Sequence, residues 1–208
     1  MSVTSPDKFS STPTVRLTIS SSQIVVSAAA LYSDGSITEM ATIGREGSTG
    51  VQAVFGAKAS SCRFFVHVSG SAMKMSRATF MRSVRSMPAF ERLASAYVQA
   101  FIEQLMVSVA CNGAHRLKQR LARWLLMMHD RSDDDTLYIS QRLLAEMLGV
   151  ERPSITNVAH DLRRAGLIDR RREQITILDR KGLMAASCEC CQLVRTRIAH
   201  HLPKTYLD

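Results

Sequence analysis

The stretch LYISQRLLAEMLGVERPSITNVAHDLRRAGLIDRRREQITIL, residues 137–178, decides how this chain is read. Leu137-Tyr138-Ile139 predicts a short strand. Ser140 is a good N-cap for a helix over 141–148, because its hydroxyl can accept from a free N–H of the first turn. Leu144, Met147 and Leu148 give that helix an apolar inner face. Gly149-Val150-Glu151 then makes a tight turn, with glycine where a helix end needs positive φ. A second helix is expected over 152–165, tolerating Pro153 in its first turn and stopped by Gly166. Ile155, Val158, Ala159 and Leu162 line one face of it. Two short helices joined by a tight glycine turn form the helix-turn-helix pattern. Beyond it, Leu167-Ile168 and residues 174–178 flank Asp169-Arg170-Arg171-Arg172-Glu173. That arrangement predicts a hairpin with a basic tip, the wing of a winged helix.

The same residues suggest a chemistry. From Arg152 to Arg172 there are six arginines and two aspartates. The outer face of the second helix is Pro153, Asn157, His160 and Arg164, with Ser154 and Thr156 at its edges. A helix fits the major groove of DNA, and its N-terminal turn offers free N–H groups and a positive dipole end to phosphates. Arg152 can reach guanine O6 and N7, and Asn157 can bond an adenine edge bidentately. Ser140, Gln141, Thr156, His160, Arg170, Arg171 and Arg172 suit phosphates, which position a protein without reading sequence.

Around this segment, 208 residues allow one large domain or two small ones. The net charge of +9, with 46% hydrophobic and 22% charged residues, excludes general disorder and points to an anionic partner. Residues 1–15 are Ser/Thr-rich and carry no apolar leader pattern. The longest apolar run, Ile24 to Tyr32, is too short to span a bilayer. A cytoplasmic protein without a membrane partner is expected. Five cysteines, an odd count, favour reduced thiols over a disulfide framework.

The first half reads as short strands at 14–19, 23–32, 37–43, 62–68 and 72–75. Ser33-Asp34-Gly35-Ser36 is a turn between the second and third, and Gly44, Gly47, Gly50 and Gly56 punctuate the middle. From Ala89 to Asn112 apolar residues recur every three or four positions, predicting one long helix ended by Asn112-Gly113. Phe90, Ala94, Tyr97, Phe101, Leu105 and Ser108 form one stripe, with Leu93, Ala96, Ala100 and Val107 beside it. Apolar residues on more than one side need two surfaces to bury against. One is the strand domain, and the other is expected to be the same helix of a second subunit, with a helix buried inside a monomer as the alternative. A further helix over 114–129 and a polar, acidic loop over 131–136 lead back to the wing segment.

These features resemble the cyclic-AMP receptor protein and fumarate–nitrate regulator (CRP/FNR) family. The likeness is carried by LAEMLGVERPSITNVAHDLRRAGLIDRRREQITILDRKGL (144–183) and, more diffusely, by GREGSTGVQAVFG (44–56), which resembles the glycine-rich turn region of the family's sensor. The resemblance implies an α+β fold. An N-terminal antiparallel β-roll of cyclic-nucleotide-binding type, truncated here, would occupy residues 1–86. A dimerisation helix would span 87–112 and a winged helix-turn-helix 113–208. It implies a homodimeric bacterial transcription regulator on double-stranded DNA, with RNA polymerase as a further candidate partner. Arg152 falls on the family's guanine-reading arginine, and Ser154 on a common phosphate contact. Pro153 stands where many members carry a glutamate that accepts from cytosine, and Asn157 where the best-known member has an arginine. The preferred half-site is therefore expected to differ.

The sensor departs further. The stretch before Gly44 is short for a complete β-roll. After Gly50 comes Val51-Gln52-Ala53 rather than an acidic residue for a ribose hydroxyl, and Ala59-Ser60-Ser61 lacks the arginine that would pair with a cyclic phosphate. Lys58 and Arg63 are the remaining cations nearby. Cyclic AMP is not expected to bind. An iron–sulfur cluster needs four thiolates near the sensor, where only Cys62 lies, with Cys111 at the end of the long helix. Cys188-Glu189-Cys190-Cys191 has no second pair at zinc spacing, although His200-His201 follows. Packed thiols and no cofactor or metal are expected. No nucleophile–base pair assembles, so no catalytic residue is assigned. A protein-interaction module with only non-specific DNA affinity is the alternative class.

Overall fold

Strand alternation and glycine turns build the first half of the molecule. The computed structural model describes residues 2–3, 16–20, 24–202 and 205–206. The start of the strand expected from Thr14 lies outside the described residues. Strands β1 (Ser2–Val3), β2 (Arg16–Ser20), β3 (Val25–Leu31) and β4 (Ile37–Ile43) come first. β3 and β4 form a hairpin whose turn places Gly35 at φ 83°, with Asp34 Oδ1 accepting from Ser36 N at 2.9 Å. This is the local bond that makes aspartate a turn residue. Next are β5 (Ser48–Thr49), a 3₁₀ turn at Val51–Phe55, β6 (Arg63–Val68) and β7 (Gly70–Ser76). Two antiparallel sheets result, ordered β1-β7-β2-β5 and β4-β3-β6.

Helix α1 (Arg77–Ser86) was not expected from the sequence. Its N-cap Ser76 accepts from Thr79 N at 3.1 Å, and it buries only Phe80 and Val84. So narrow a stripe among arginines and serines gives little periodic signal. Helix α2 (Pro88–Ala114) is longer than expected and runs through Gly113, which does not adopt positive φ. A glycine in a last turn costs only about 1 kcal/mol, less than the packing that holds α2 against β4 and α7 (Cys190–His201) returns. Ala94, Tyr97, Val98, Ala100, Gln104, Val107, Ser108 and Cys111 are buried, whereas Leu93 is exposed. Gln104 satisfies its buried amide by donating to Thr42 O at 3.0 Å.

By length and composition alone α2 could cross a membrane, with a mean hydropathy of 1.3 over its most apolar window. A search for an unbroken apolar run overlooks it. In this fold it instead packs on protein, and its Glu103 accepts from Arg197 at 2.6 Å.

The rest follows the expected order. Helix α3 (Leu117–His129) leads to β8 (Thr136–Tyr138), α4 (Gln141–Leu148), α5 (Arg152–Arg164), β9 (Ile168–Arg171), β10 (Gln174–Ile177) and α6 (Arg180–Ala186). β8, β10 and β9 form a small antiparallel sheet. One core joins Leu121, Leu125, Leu144, Ile155, Leu162, Ile175 and Leu183 to Val25 of β3, so the two halves share a hydrophobic interior. A second core lies between α2 and α7, around Tyr97, Val107, Cys111, Met127, Val194 and Ile198. The loop after α3 is exposed at Asp133, Asp134 and Asp135, but its first residue is not. Arg131 is 1% exposed and donates to Glu46 Oε1 at 2.7 Å.

Candidate nucleic-acid interface

The site is assembled by local rules. Ser140 Oγ accepts from Leu143 N at 3.2 Å and starts α4. Gly149 closes it at φ 63°, and Val150 N returns to Ala145 O at 3.0 Å. The chain is thereby turned into α5, whose first turn starts at Arg152 with Pro153 behind it. Ile155, Ala159 and Leu162 face the core. Arg152, Pro153, Ser154, Asn157, His160, Arg163 and Arg164 are exposed on the other side. Gly166, at φ 72°, ends the element.

A polar bridge ties both helices to the wing. Thr156 Oγ1 donates to Arg152 O at 3.1 Å. The Gln141 carboxamide turns its nitrogen to Thr156 Oγ1 at 2.8 Å and its oxygen to Arg170 Nε at 2.9 Å, the orientation that satisfies every partner. Gln141, Thr156 and Arg170 therefore hold one another. In this role they set the spacing between α4, α5 and β9.

The basic tip is shorter than the sequence suggests. Asp169, Arg170 and Arg171 belong to β9 and pair across the ladder, leaving Arg172 and Glu173 to turn the hairpin. A strand can carry arginines at its edge as readily as a loop can, which is why composition alone misplaced them. Asp169 lies 3.4 Å from Arg163 and 3.6 Å from Arg171, so it orients two cations. Thr156, Asn157, His160, Arg163, Arg170, Arg171 and Arg172 line one groove between α5 and the wing. On the opposite side of the wing, Tyr138, Ser140 and residues 171–174 line a second. Arg163 and the exposed Tyr138 were missed in the sequence. Helical spacing from His160 and outward alternation along β8 are the signals that would have found them.

A separate constellation lies at the far end of α2. Cys111 and His115, one helical turn apart, face Cys188 and Cys190, and the four donor atoms lie within 4.8 Å of one another. All five cysteines are free thiols. Burial pushes the Cys111 thiol up to about 12. Cys191 points into the main core instead, and His200 and His201 meet edge to face.

The glycine-rich segment of the β domain is closed by neighbouring side chains. A Cβ on Gly44 would meet Arg131 Cγ at 2.6 Å, and one on Gly47 would meet Tyr97 Oη at 2.6 Å. These glycines admit protein side chains at close range.

Residues 119–186 match the family of Crp-like helix-turn-helix domains. No curated protein matches the sequence. Solved structures do match in fold. A CRP-family transcriptional regulator of Thermus thermophilus superposes with a TM-score of 0.74 at 18% identity, over 90% of this chain and 96% of that one. FixK2 of Bradyrhizobium japonicum gives 0.76 at 15% identity, again over 90% and 96%. A second T. thermophilus regulator, of the CRP/FNR family, gives 0.71 at 19% identity, over 95% and 98%.

Proposed function

We propose, from the premise that this chain carries a Crp-like helix-turn-helix domain on the fold of CRP/FNR-family transcriptional regulators, that it is a cytoplasmic, homodimeric, DNA-binding regulator and not an enzyme. The observation that supports this reading is the groove between α5 and the wing, where Asn157, His160 and Arg163 of α5 face Arg170, Arg171 and Arg172 across one basic surface. Arg152, Asn157 and Pro153 meet base edges in the major groove. Ser140, Ser154, His160, Arg171 and Arg172 take phosphates, and Gln141, Thr156 and Arg170 add contacts while fixing the frame. Residues 1–86 serve as the sensor domain, 87–112 as the dimerisation helix and 113–208 as the DNA-binding domain.

Dimerisation is supported by α2. Ile102, Met106 and Val109, at helical spacing, are 44%, 50% and 74% exposed on the side away from its buried face. Apolar groups in such a row favour a partner helix. Two copies related by a two-fold axis would set their recognition helices in successive major grooves, roughly 34 Å apart. Cyclic AMP plays no part in this reading: Arg131 and Tyr97 pack against Gly44 and Gly47, and the Arg77 guanidinium beside the glycine turn is already engaged by the Gly56 and Ala57 carbonyls.

Selection of bound duplexes from a random pool, at fixed salt and with or without cyclic AMP, tests the whole reading. An inverted repeat enriched equally in both arms is expected. Random duplex bound as tightly as any selected one would replace regulation by a non-specific interaction role. On the selected site, Arg152→Ala should cost about 1–3 kcal/mol at one base pair and relax the preference there. Competition among single-base variants of the site measures this. Arg171→Ala should weaken all sequences alike and reduce the slope of log affinity against log salt by about one.

A further inference from the structure

We propose that Cys111, His115, Cys188 and Cys190 form a four-coordinate site for one thiophilic divalent metal ion, zinc by donor class, joining the end of α2 to the junction of α6 and α7. The site is separate from the DNA-binding surface and stands or falls independently of it.

The donors are already spaced for one ion. Cys111 Sγ lies 3.5 Å from Cys188 Sγ, and Cys190 Sγ lies 3.6 Å from His115 Nδ1. Zinc–sulfur bonds of about 2.3 Å and zinc–nitrogen bonds of about 2.0–2.1 Å place tetrahedral donors roughly 3.5–3.8 Å apart. The group therefore has room for a single ion and already has nearly the required edges. Cys111 is presented by the last turn of α2 and His115 by the residue that caps its C-terminus. Cys188 and Cys190 straddle the start of α7, after α6 ends at Ala186. Two donor pairs from distant chain segments make a closed structural site.

The surroundings fit the same chemistry. Cys111, Cys188 and Cys190 are 5% exposed or less, which leaves no open position for water or substrate. His115 Nε2 lies 3.2 Å from Glu189 Oε2. The nitrogen that does not face the thiols can thus donate its proton to a carboxylate, the second contact that metal-bound histidines commonly keep. Charge also matches. Arg123 is buried beside Cys111 and Cys190, makes no ion pair among the described residues, and has an Nε without a hydrogen-bond partner. Three thiolates and a neutral imidazole around a divalent ion leave one negative charge, which Arg123 would compensate.

The test uses the full-length chain, reduced and stripped with a chelator, and titrated with Co²⁺ as a spectroscopic probe. One Co²⁺ per chain is expected, with thiolate-to-cobalt charge-transfer and tetrahedral ligand-field bands that added Zn²⁺ abolishes. Cys62→Ser should leave these bands unchanged, whereas Cys188→Ser should weaken the charge-transfer bands and His115→Ala, which keeps all three thiolates, should shift the ligand-field bands and weaken binding. Glu189→Gln keeps all four donors and alters only an exposed side chain, so it remains informative if the ligand variants fail to fold. It should weaken Co²⁺ binding about 10–100-fold. Absence of charge-transfer bands in the reduced protein overturns the proposal. So do bands that neither ligand substitution alters, and so does closure of a Cys111–Cys188 disulfide in a protein that takes up no metal.

Discussion

Placing glutamate at both Met106 and Val109 is expected to turn the protein into a folded monomer and to lower its affinity for a two-fold DNA site about 10²–10⁴-fold. The two side chains are 50% and 74% exposed on a single chain, so their replacement removes almost nothing from its own core. In a parallel pair of α2 helices each glutamate would face its own copy, and like charges brought together across an apolar seam oppose association. The loss in DNA affinity follows from valency. A dimer binds its second half-site intramolecularly, an advantage worth about 10²–10⁴-fold that a monomer lacks. Sedimentation at micromolar concentration and titration of whole and half sites measure both effects. Half-site affinity should change far less than whole-site affinity, and leucine at both positions should preserve the dimer. A doubly substituted protein, Met106→Glu with Val109→Glu, that still sediments as a dimer would show that the subunits meet elsewhere.

What could be read in the sequence was what is decided locally. Ser140, Gly149 and Gly166 act through bonds or φ values within a few residues, and α4 and α5 form over the expected spans. The β3–β4 hairpin is set in the same way by Asp34 and Gly35. What could not be read depends on partners far along the chain. Cys111 and Cys188 meet across 77 positions, so neither the Cys-x-Cys pair nor a lone cysteine on α2 carries a metal spacing in sequence. The bridge from Gln141 through Thr156 to Arg170 spans α4, α5 and β9. Residue type suggested three separate phosphate ligands there, and only the fold shows that they hold one another. Gly113 illustrates the reverse case, in which tertiary packing carries a helix past a residue that would otherwise stop it.

Arg131 is the strongest instance of a side chain whose role is invisible before folding, and its removal carries the largest expected loss of stability. The sequence around it, Arg131-Ser132-Asp133-Asp134-Asp135, looks fully solvated. Yet its Nε donates to Glu46 Oε1 at 2.7 Å, Nη1 to Met127 O at 3.0 Å, and Nη2 to Tyr206 Oη at 3.0 Å. Burial alone would disfavour the charge, but Glu46, joined by Tyr206 and Asp130, offsets it and holds the guanidinium well above its ordinary pKa. Arg131→Met would retain much of the apolar stem and leave the Glu46 carboxylate, 7% exposed, without its counter-charge. Breaking a buried pair from one side costs about 3–5 kcal/mol, a large share of the roughly 5–15 kcal/mol that holds a typical protein folded. Urea denaturation at fixed protein concentration should show a lower midpoint with an unchanged slope. Glu46→Leu added to Arg131→Met should recover most of the loss, since two apolar groups no longer leave a charge stranded. The space beside Gly44 would then be lined by methionine rather than guanidinium, so recovery also measures how closely that glycine turn depends on the ion pair. A single Arg131→Met protein as stable as the parent would mean that water reaches Glu46, and that the two halves of the chain are held together by the shared core around Val25 and Leu121 without help from this pair.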